Sequence, residues 1–345
     1  MTATLQQSVA ANEAWMRGLL HVVEPDLAAK HAAMAKSPFA FLRATCFRFA
    51  ETLPALVPEL LRATAVPSVG DAHLENFGTW RDNEGRLIWG VNDLDEAALL
   101  PWPVDLLRLA ASALLTETPP RARDVAEALL QGHAVRLAAP RPFVLDAENA
   151  LLREAANPTP KERVRFWEKL HALEPAEPPR DMAAELRKSL PESSRTITFA
   201  PRVAGLGSLG RPRFVAMAEW RGGPVAREAK ARLPSAYIYA RMAGAAALDP
   251  VALAASPARA PDPWFRATPG LVLRRLAPDS RKIEAGGAVR LTDLLLAMGG
   301  ELANIHAQGD GAALLEQKQV LPDGWLHDGA RRLADAVRAD HAAWR

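Results

Sequence analysis

Gly70-Asp71-Ala72-His73-Leu74-Glu75-Asn76 is followed, across two strand-like runs, by Val91-Asn92-Asp93-Leu94-Asp95-Glu96. The runs Phe77–Arg81 and Arg86–Val91 flank Asp82-Asn83-Glu84-Gly85, which carries a hairpin turn signal. A hairpin brings its two ends together, so Asp71, Asn76 and Asp93 are expected to converge. Carboxylates gathered in this way raise one another's pKa unless a cation lies between them. Oxygen ligands suit a hard cation, so these three are expected to share one, with Mg2+ the natural candidate. A rival reading is a hydrolase metal site built from His73, Asp71, Asp93 and Asp95. The bland alternative is a polar turn of solvated acids.

A second motif lies far downstream. Gly205-Leu206-Gly207-Ser208-Leu209-Gly210 spells G-x-G-x-x-G. A dinucleotide fold requires a helix after such a loop. Here Arg211-Pro212-Arg213-Phe214-Val215-Ala216-Met217 follows, and its proline, aromatic and β-branched residues favour a strand. Strand, glycine loop, strand is the hairpin that covers nucleotide phosphates in kinases, where glycines let backbone N–H groups approach the ligand. The next strand-like segment, Pro224 to Lys230, supplies Lys230 for those phosphates, and the bland reading is a surface lysine in a basic region. Between Ala231 and Arg281 there is no Glu, and Asp249, Asp262 and Asp279 are the only acids, so the partner of Lys230 is not readable.

The spacing of the first motif bears on the same question. Asp71 followed by Asn76 gives D-x-x-x-x-N, the catalytic-loop pattern of kinases, with Asp as base and Asn on a metal. Gly70 to Asn76 resembles the G-D-x-H-x-x-N loop of the aminoglycoside and choline kinase-like branch, and Asp93-Leu94-Asp95 resembles its I-D-x-[DE] metal motif. The resemblance implies that Asp71 is catalytic and His73 supporting, that Asn76, Asp93 and Asp95 hold the metal, and that Asp105 braces the catalytic loop. It also implies Gly205, Gly207, Ser208, Gly210, Lys230 and Arg274 as nucleotide-binding residues. Kinases place the glycine loop before the catalytic loop, whereas Gly205 here follows Asp71. A circular permutation reconciles the order, and Leu295 to Ala307, ending in Ile305-His306-Ala307, resembles the helix that precedes the catalytic loop in those kinases.

The chain also resembles the bacterial domain-of-unknown-function family 2252. The segments that carry this likeness are Lys36–Arg43, Gly70–Gly78, Val91–Glu96, Val203–Gly210 and Arg274–Pro278. That family is commonly grouped with protein-kinase-like folds.

The expected fold is α+β, a two-lobed protein-kinase-like architecture with permuted order. Residues 1–192 form a helical lobe with the catalytic and metal loops, 193–280 a β-rich nucleotide-binding lobe, and 281–345 a helical segment completing the first lobe. Within it, helices are expected over Phe39–Leu53, Val104–Thr116, Tyr237–Ala247 and Leu291–His306, with a helical C-terminus to Trp344. Strands are expected over Val66–Val69, Thr196–Val203, Arg213–Trp220, Pro224–Ala229 and Gly270–Leu276. Arg43 and Arg48, at i and i+5 on a helix, are candidates for a phosphate or acidic substrate, and the bland reading is solvated helix charges.

Composition bounds the rest. The 345 residues are 49% hydrophobic and 24% charged, which excludes a mainly disordered chain. A net charge of +2 gives no global drive toward nucleic acid or anionic membrane, and the basic residues show no aromatic interleaving. No apolar stretch approaches a membrane span. The single cysteine, Cys46, fits a reducing compartment, and Met1–Leu20 lacks the basic start and apolar core of a signal peptide, so the chain is read as cytoplasmic. The expected function is ATP- and Mg2+-dependent phosphotransfer to a small molecule. Nucleotidyl transfer, a nucleotide-binding pseudokinase and the metal-dependent hydrolase stay open.

Overall fold

A computed structural model describes residues 3–286, 289–309, 314, 316 and 321–345. Helices α1 (Leu5–Leu19) and α2 (Glu24–Met34) open the chain, and Thr4 and Gln7 form a capping box on α1. Ser37 caps α3 (Pro38–Ala44) by accepting from the Ala40 N–H, and Pro38 occupies the first turn. The helix expected over Phe39–Leu53 is interrupted at Thr45 (φ −125°, ψ 48°), whose hydroxyl donates to the Phe41 carbonyl at 2.7 Å. A separate helix, α4 (Cys46–Leu56), therefore follows.

Next come β1 (Ala65–Ser68), β2 (Phe77–Arg81), β3 (Leu87–Val91) and β4 (Ala98–Pro101). After them are α5 (Pro103–Leu114), α6 (Ala122–Ala138), β5 (Phe143–Val144), α7 (Ala150–Ala156), α8 (Pro160–His171) and α9 (Arg180–Ser189). Strands β6 (Arg195–Pro201), β7 (Arg213–Trp220) and β8 (Gly223–Ala231) form a meander. The remainder is α10 (Ala236–Tyr239), β9 (Ala246–Ala247), α11 (Pro250–Ala254), β10 (Arg266–Ala267), β11 (Leu271–Leu276), α12 (Leu291–His306) and α13 (Trp325–Trp344). The expected helical C-terminus is seen in α13, while residues 310–313, 315 and 317–320 of that expectation lie outside the described residues. The helix expected over Tyr237–Ala247 reduces to the single turn α10. Arg241 (φ 52°) and Gly244 (φ 79°) take left-handed backbone that cannot continue a helix.

The fold is mixed α+β. Among the described residues, 13 helices accompany three antiparallel sheets ordered β10-β11-β8-β7-β6, β2-β3-β5 and β1-β4-β9. Both faces of the five-stranded sheet are covered. Met182 and Leu186 of α9 pack with Phe199, Ala216, Ala229 and Leu273. Leu170 of α8, with Phe166 and Trp167, packs with Val215, Ala226 and Leu276 on the other face. Both helices lie within the 1–192 range expected to be a helical lobe, yet they pack on the β-rich part.

The largest core joins α3–α6, α12 and α13 to the two smaller sheets. Helices α6 and α12 approach backbone to backbone. A Cβ on Gly132 would lie 1.8 Å from the Leu296 carbonyl oxygen, and one on Gly299 would lie 2.2 Å from that of Leu129. Among the described residues no helix is long and apolar enough to cross a membrane.

Candidate active site

The Gly70–Asn76 loop follows β1 and is held by α5. Asp105, in the first turn of α5 and fully buried, accepts the Val69 N–H at 2.7 Å and the Gly70 N–H at 2.8 Å, one on each carboxylate oxygen. His306, at the end of α12 and also fully buried, places Nε2 3.3 Å from Asp105 Oδ2. Tyr237 Oη donates to the Gly70 carbonyl at 2.7 Å. The Asp105 carboxylate thus clamps two consecutive amides at the start of the loop.

The hairpin β2–β3 brings the far acids back to this loop. Asn76 Nδ2 donates to the carbonyls of Asp71 (2.9 Å) and Asp93 (3.1 Å), and its Oδ1 accepts the Asp93 N–H at 3.1 Å. Asn76 thus ties the two loops together through backbone groups, and the oxygen expected to ligate a metal already takes an amide.

The Asp71 carboxylate is gripped by Arg108 of α5, a side chain with no exposed surface. Arg108 Nε donates to Asp71 Oδ1 at 2.7 Å, Nη2 is paired with the same carboxylate, and Nη2 also donates to the Leu42 carbonyl at 3.0 Å. Burial pushes the Asp71 carboxyl up, but the charge of Arg108, with His73 beside it, outweighs burial and holds it below the ordinary carboxylate range. His73 is itself buried, and desolvation lowers its pKa to about 4, so it is neutral at pH 7. Its Nδ1 accepts the Glu75 N–H at 3.1 Å.

The glycine loop, a short 3-10 turn between β6 and β7, lies directly over this carboxylate. Gly205 has φ +73°, and a Cβ on Gly207 would sit 2.9 Å from the Arg43 carbonyl and 3.8 Å from Asp71 Oδ2. Lys30 Nζ of α2 donates to the Gly207 carbonyl at 3.1 Å. Ser208 Oγ donates to the Gly205 carbonyl at 3.1 Å and accepts Arg213 Nη2 at 2.6 Å. Loop and strand are locked by side chains rather than left open.

Lys230 and Glu228 alternate onto the same face of β8, as residues two apart on a strand must. Lys230 Nζ lies 2.9 Å from Asp93 Oδ2 and 2.6 Å from Asp95 Oδ2. These acids are the partners that the sequence left unassigned. Burial opposes ionisation of Asp93, but the Lys230 charge prevails and its carboxyl is held far below the ordinary range. Asp95 is raised instead, by burial and then by the Asp93 charge. Glu228, 1% exposed, is the hub of three guanidiniums. It is paired with Arg202, accepts Arg213 Nη1 at 2.6 Å, and lies 2.8 Å from Arg274. Burial works against the charged form, yet Arg274, Arg213 and Arg202 together hold its carboxyl well below the ordinary range.

These groups line one cavity of about 330 Å³, in which Asp71, His73, Asn76, Asp93, Asp95, Gly205, Gly207, Ser208, Lys230, Arg274 and Arg43 meet. Gly210 (φ +92°) lies behind it, against Leu27. Arg48 does not reach the cavity. It binds Asp340 of α13 through Nε at 2.9 Å, because the break at Thr45 turns α4 away from α3. Arg43, by contrast, pairs with Glu75 at the cavity wall, Nη1 to Oε2 2.9 Å.

A second cavity of about 230 Å³ adjoins the first and shares Asn92, Arg202, Arg274 and Lys282 with it. Trp80, Phe166, Phe265 and Leu276 give it an apolar wall, and the segment Ser280–Lys282 closes one side. That segment is tied to β2, where the Thr79 N–H donates to the Arg281 carbonyl at 2.9 Å.

No group of three or more His, Cys, Asp or Glu able to hold a metal is found among the described residues. Two carboxylates, Asp93 and Asp95, do face the cavity, and the buried Asp95 Oδ1 has no hydrogen-bond donor. Mg2+ is ordinarily held by one or two carboxylates together with substrate phosphates, so the donor set fits that ion.

Arg108, Glu228, Arg202, Arg213 and Lys282 escaped the sequence reading. Two were within reach of it. Arg108 follows Asp105 by one helical turn in Asp105-Leu106-Leu107-Arg108, and Glu228 shares the strand face of Lys230.

Residues 23–134 match the profile of a family described as an uncharacterized protein conserved in bacteria (DUF2252). The matched segment contains the Gly70–Asn76 loop, the hairpin acids, Asp105 and Arg108, and ends before the glycine loop. Neither a curated protein nor a solved structure matches the chain.

Proposed function

We propose that this chain is an ATP- and Mg2+-dependent phosphotransferase of permuted kinase-like design, acting on a small-molecule acceptor in the cytoplasm. The observation that carries the reading is the meeting of Lys230 with Asp93 and Asp95, 137 residues from Asp93 in sequence, in a cavity roofed by the glycine loop. A lysine and two carboxylates under a glycine loop are parts that recur in phosphoryl-transfer sites, where the lysine binds phosphates and the carboxylates hold Mg2+. The sheet order gives further support. In a permuted reading, β6-β7-β8 supply glycine hairpin and lysine strand, β11 borders the cleft, and Ser280–Lys282 is the connection to the helical part.

Arg202, Arg274, Lys230 and the loop amides would bind phosphates, and the aromatic second cavity would take the base. Asp93 and Asp95 would hold the ion, which when bound neutralises phosphate charge and orients the transferred group. Asn76 fixes the spacing of the two loops. Asp71, its charge held by Arg108, orients the acceptor. Catalysis then rests on positioning and charge stabilisation.

A second reading, nucleotide binding without transfer, is favoured by the Arg108 grip on Asp71. ATP consumption that disappears in Asp71→Ala separates the two readings, and the mass of the product separates phosphoryl from nucleotidyl transfer.

The first test is thermal denaturation with ATP, with and without Mg2+. Ligand at about 100 times its dissociation constant stabilises the native state by about 2.7 kcal/mol. The shift is expected to need Mg2+ and to vanish in Lys230→Ala and in Asp93→Ala. No shift at millimolar ATP would overturn the nucleotide reading.

A further inference from the structure

The Asp71 end of the cavity carries cations that no phosphate-binding role absorbs. Glu75 Oε2 alone takes both Arg43 Nη1, at 2.9 Å, and Lys282 Nζ, at 2.6 Å. One carboxylate oxygen thus serves two cations, and Arg43 Nε is buried with no hydrogen-bond partner. Both cations and Glu75 line the cavity beside Asp71 and His73. The groups facing this spot are otherwise unsuited to removing a proton. Asp71 is paired with the fully buried Arg108, and His73 is turned by its bond from the Glu75 N–H so that Nδ1 is already occupied. An acceptor hydroxyl would find cations here and, for a base, only the Asp71 carboxylate, whose charge Arg108 stabilises.

We infer that the acceptor is an oxyanion, a carboxylate or a phosphate monoester, which displaces Glu75 from Arg43 and Lys282 and attacks without prior deprotonation. This inference rests on the phosphotransfer reading above. The acceptor oxygen forms a bond to the γ-phosphorus, and the bond from that phosphorus to the β,γ-bridging oxygen breaks. The electron pair stays on the β-phosphate of the departing ADP. No proton is taken up or released in the step, so none has to be accepted by Asp71. The product is an acyl phosphate from a carboxylate, or a phosphoanhydride from a phosphate.

The test uses the full chain saturated with Mg2+ and a non-hydrolysable ATP analogue, titrated calorimetrically with succinate and, separately, with inorganic phosphate. At least one probe is expected to bind. Its affinity should fall about tenfold or more in Arg43→Gln and in Lys282→Gln. It should rise severalfold in Glu75→Gln, because the competing carboxylate is gone. A structural role for this trio predicts loss in all three variants, so the opposite sign for Glu75→Gln is the decisive readout. With hydrolysable ATP and the succinate arm, hydroxylamine should trap the acyl phosphate as a hydroxamate. With the phosphate arm it should trap nothing. If the analogue binds but neither probe does, in wild type or in Glu75→Gln, the oxyanion inference falls and the nucleotide reading stands. If the analogue itself fails to bind, both fall.

Discussion

Replacing Glu228 by Gln keeps the shape of the side chain and removes the one negative charge that three guanidiniums share. Breaking a buried ion pair by deleting one partner typically costs about 3–5 kcal/mol, because the remaining charge is stranded. The three arginines are not equally stranded. The side chains of Arg202 and Arg274 are 29% and 33% exposed and can rehydrate, while that of Arg213 is 4% exposed and cannot. One stranded cation puts the cost near the lower limit, about 3 kcal/mol. An unfolding entropy of about 2.1 cal/mol/K per residue gives about 0.7 kcal/mol/K for 345 residues, so the melting temperature should fall by about 4 °C. The sign with pH follows from the depressed carboxyl. Its contribution is complete above the unfolded-state value of about 4.3 and is lost as pH falls below that range. Calorimetric scans of wild type and Glu228→Gln should therefore stay a constant distance apart from pH 8 to pH 5 and converge only in stronger acid. Added tripolyphosphate should narrow the gap, since it supplies the missing negative charge. A fall of less than about 1 °C at pH 7, or a tripolyphosphate shift no larger in the variant than in wild type, would refute the reasoning that Glu228 stands in for an anion among these arginines.

Two further outcomes follow from the same geometry. His73 is neutral in the fold with a pKa of about 4 against 6.5 when unfolded, so the unfolded chain gains the proton first as pH falls. Wild-type stability should drop by roughly 3 kcal/mol between pH 6.5 and pH 4 on this account, and His73→Asn should show a flatter denaturant-midpoint curve over that window; parallel curves would contradict it. Arg48→Ala should cost about 1 kcal/mol through its partly buried pair with Asp340 and leave the Mg2+–ATP thermal shift unchanged, whereas a lost shift would return Arg48 to the site.

The regular elements were largely legible because their signals are local. Arg213–Trp220 and Leu291–His306 lie where the residue pattern puts them, and Val104–Thr116 is found as Pro103–Leu114. Ser37-Pro38 marked a helix start by its cap chemistry alone. The strands β5, β9 and β10, of two residues each, have no period to read, and they exist only because a partner strand lies beside them. The helix expected across Thr45 broke for a reason no periodicity carries, since both halves keep apolar residues at helical spacing. The site divides in the same way. Asp71, Asn76, Asp93, Asp95 and the glycine loop were visible as spaced motifs. Arg108 and Glu228, although each lies one turn or one strand repeat from a motif residue, were passed over because a charged residue in a helix or strand ordinarily faces solvent.

By itself the sequence determined the hairpin that returns Asp93 to Asp71, the glycine turn between two strands, and the alternation that sets Lys230 on one face of its strand. These depend on neighbours within a few residues, where backbone sterics and side-chain periodicity decide. Only the tertiary structure decided that Lys230 meets Asp93 and Asp95, that Arg108 holds Asp71, and that Glu228 gathers three arginines, two from strands and Arg202 from just past the end of β6. Each of those pairings is a contact between charges distant in sequence. Its partner is chosen by which faces pack and which charges burial forces together, and no local pattern carries that information.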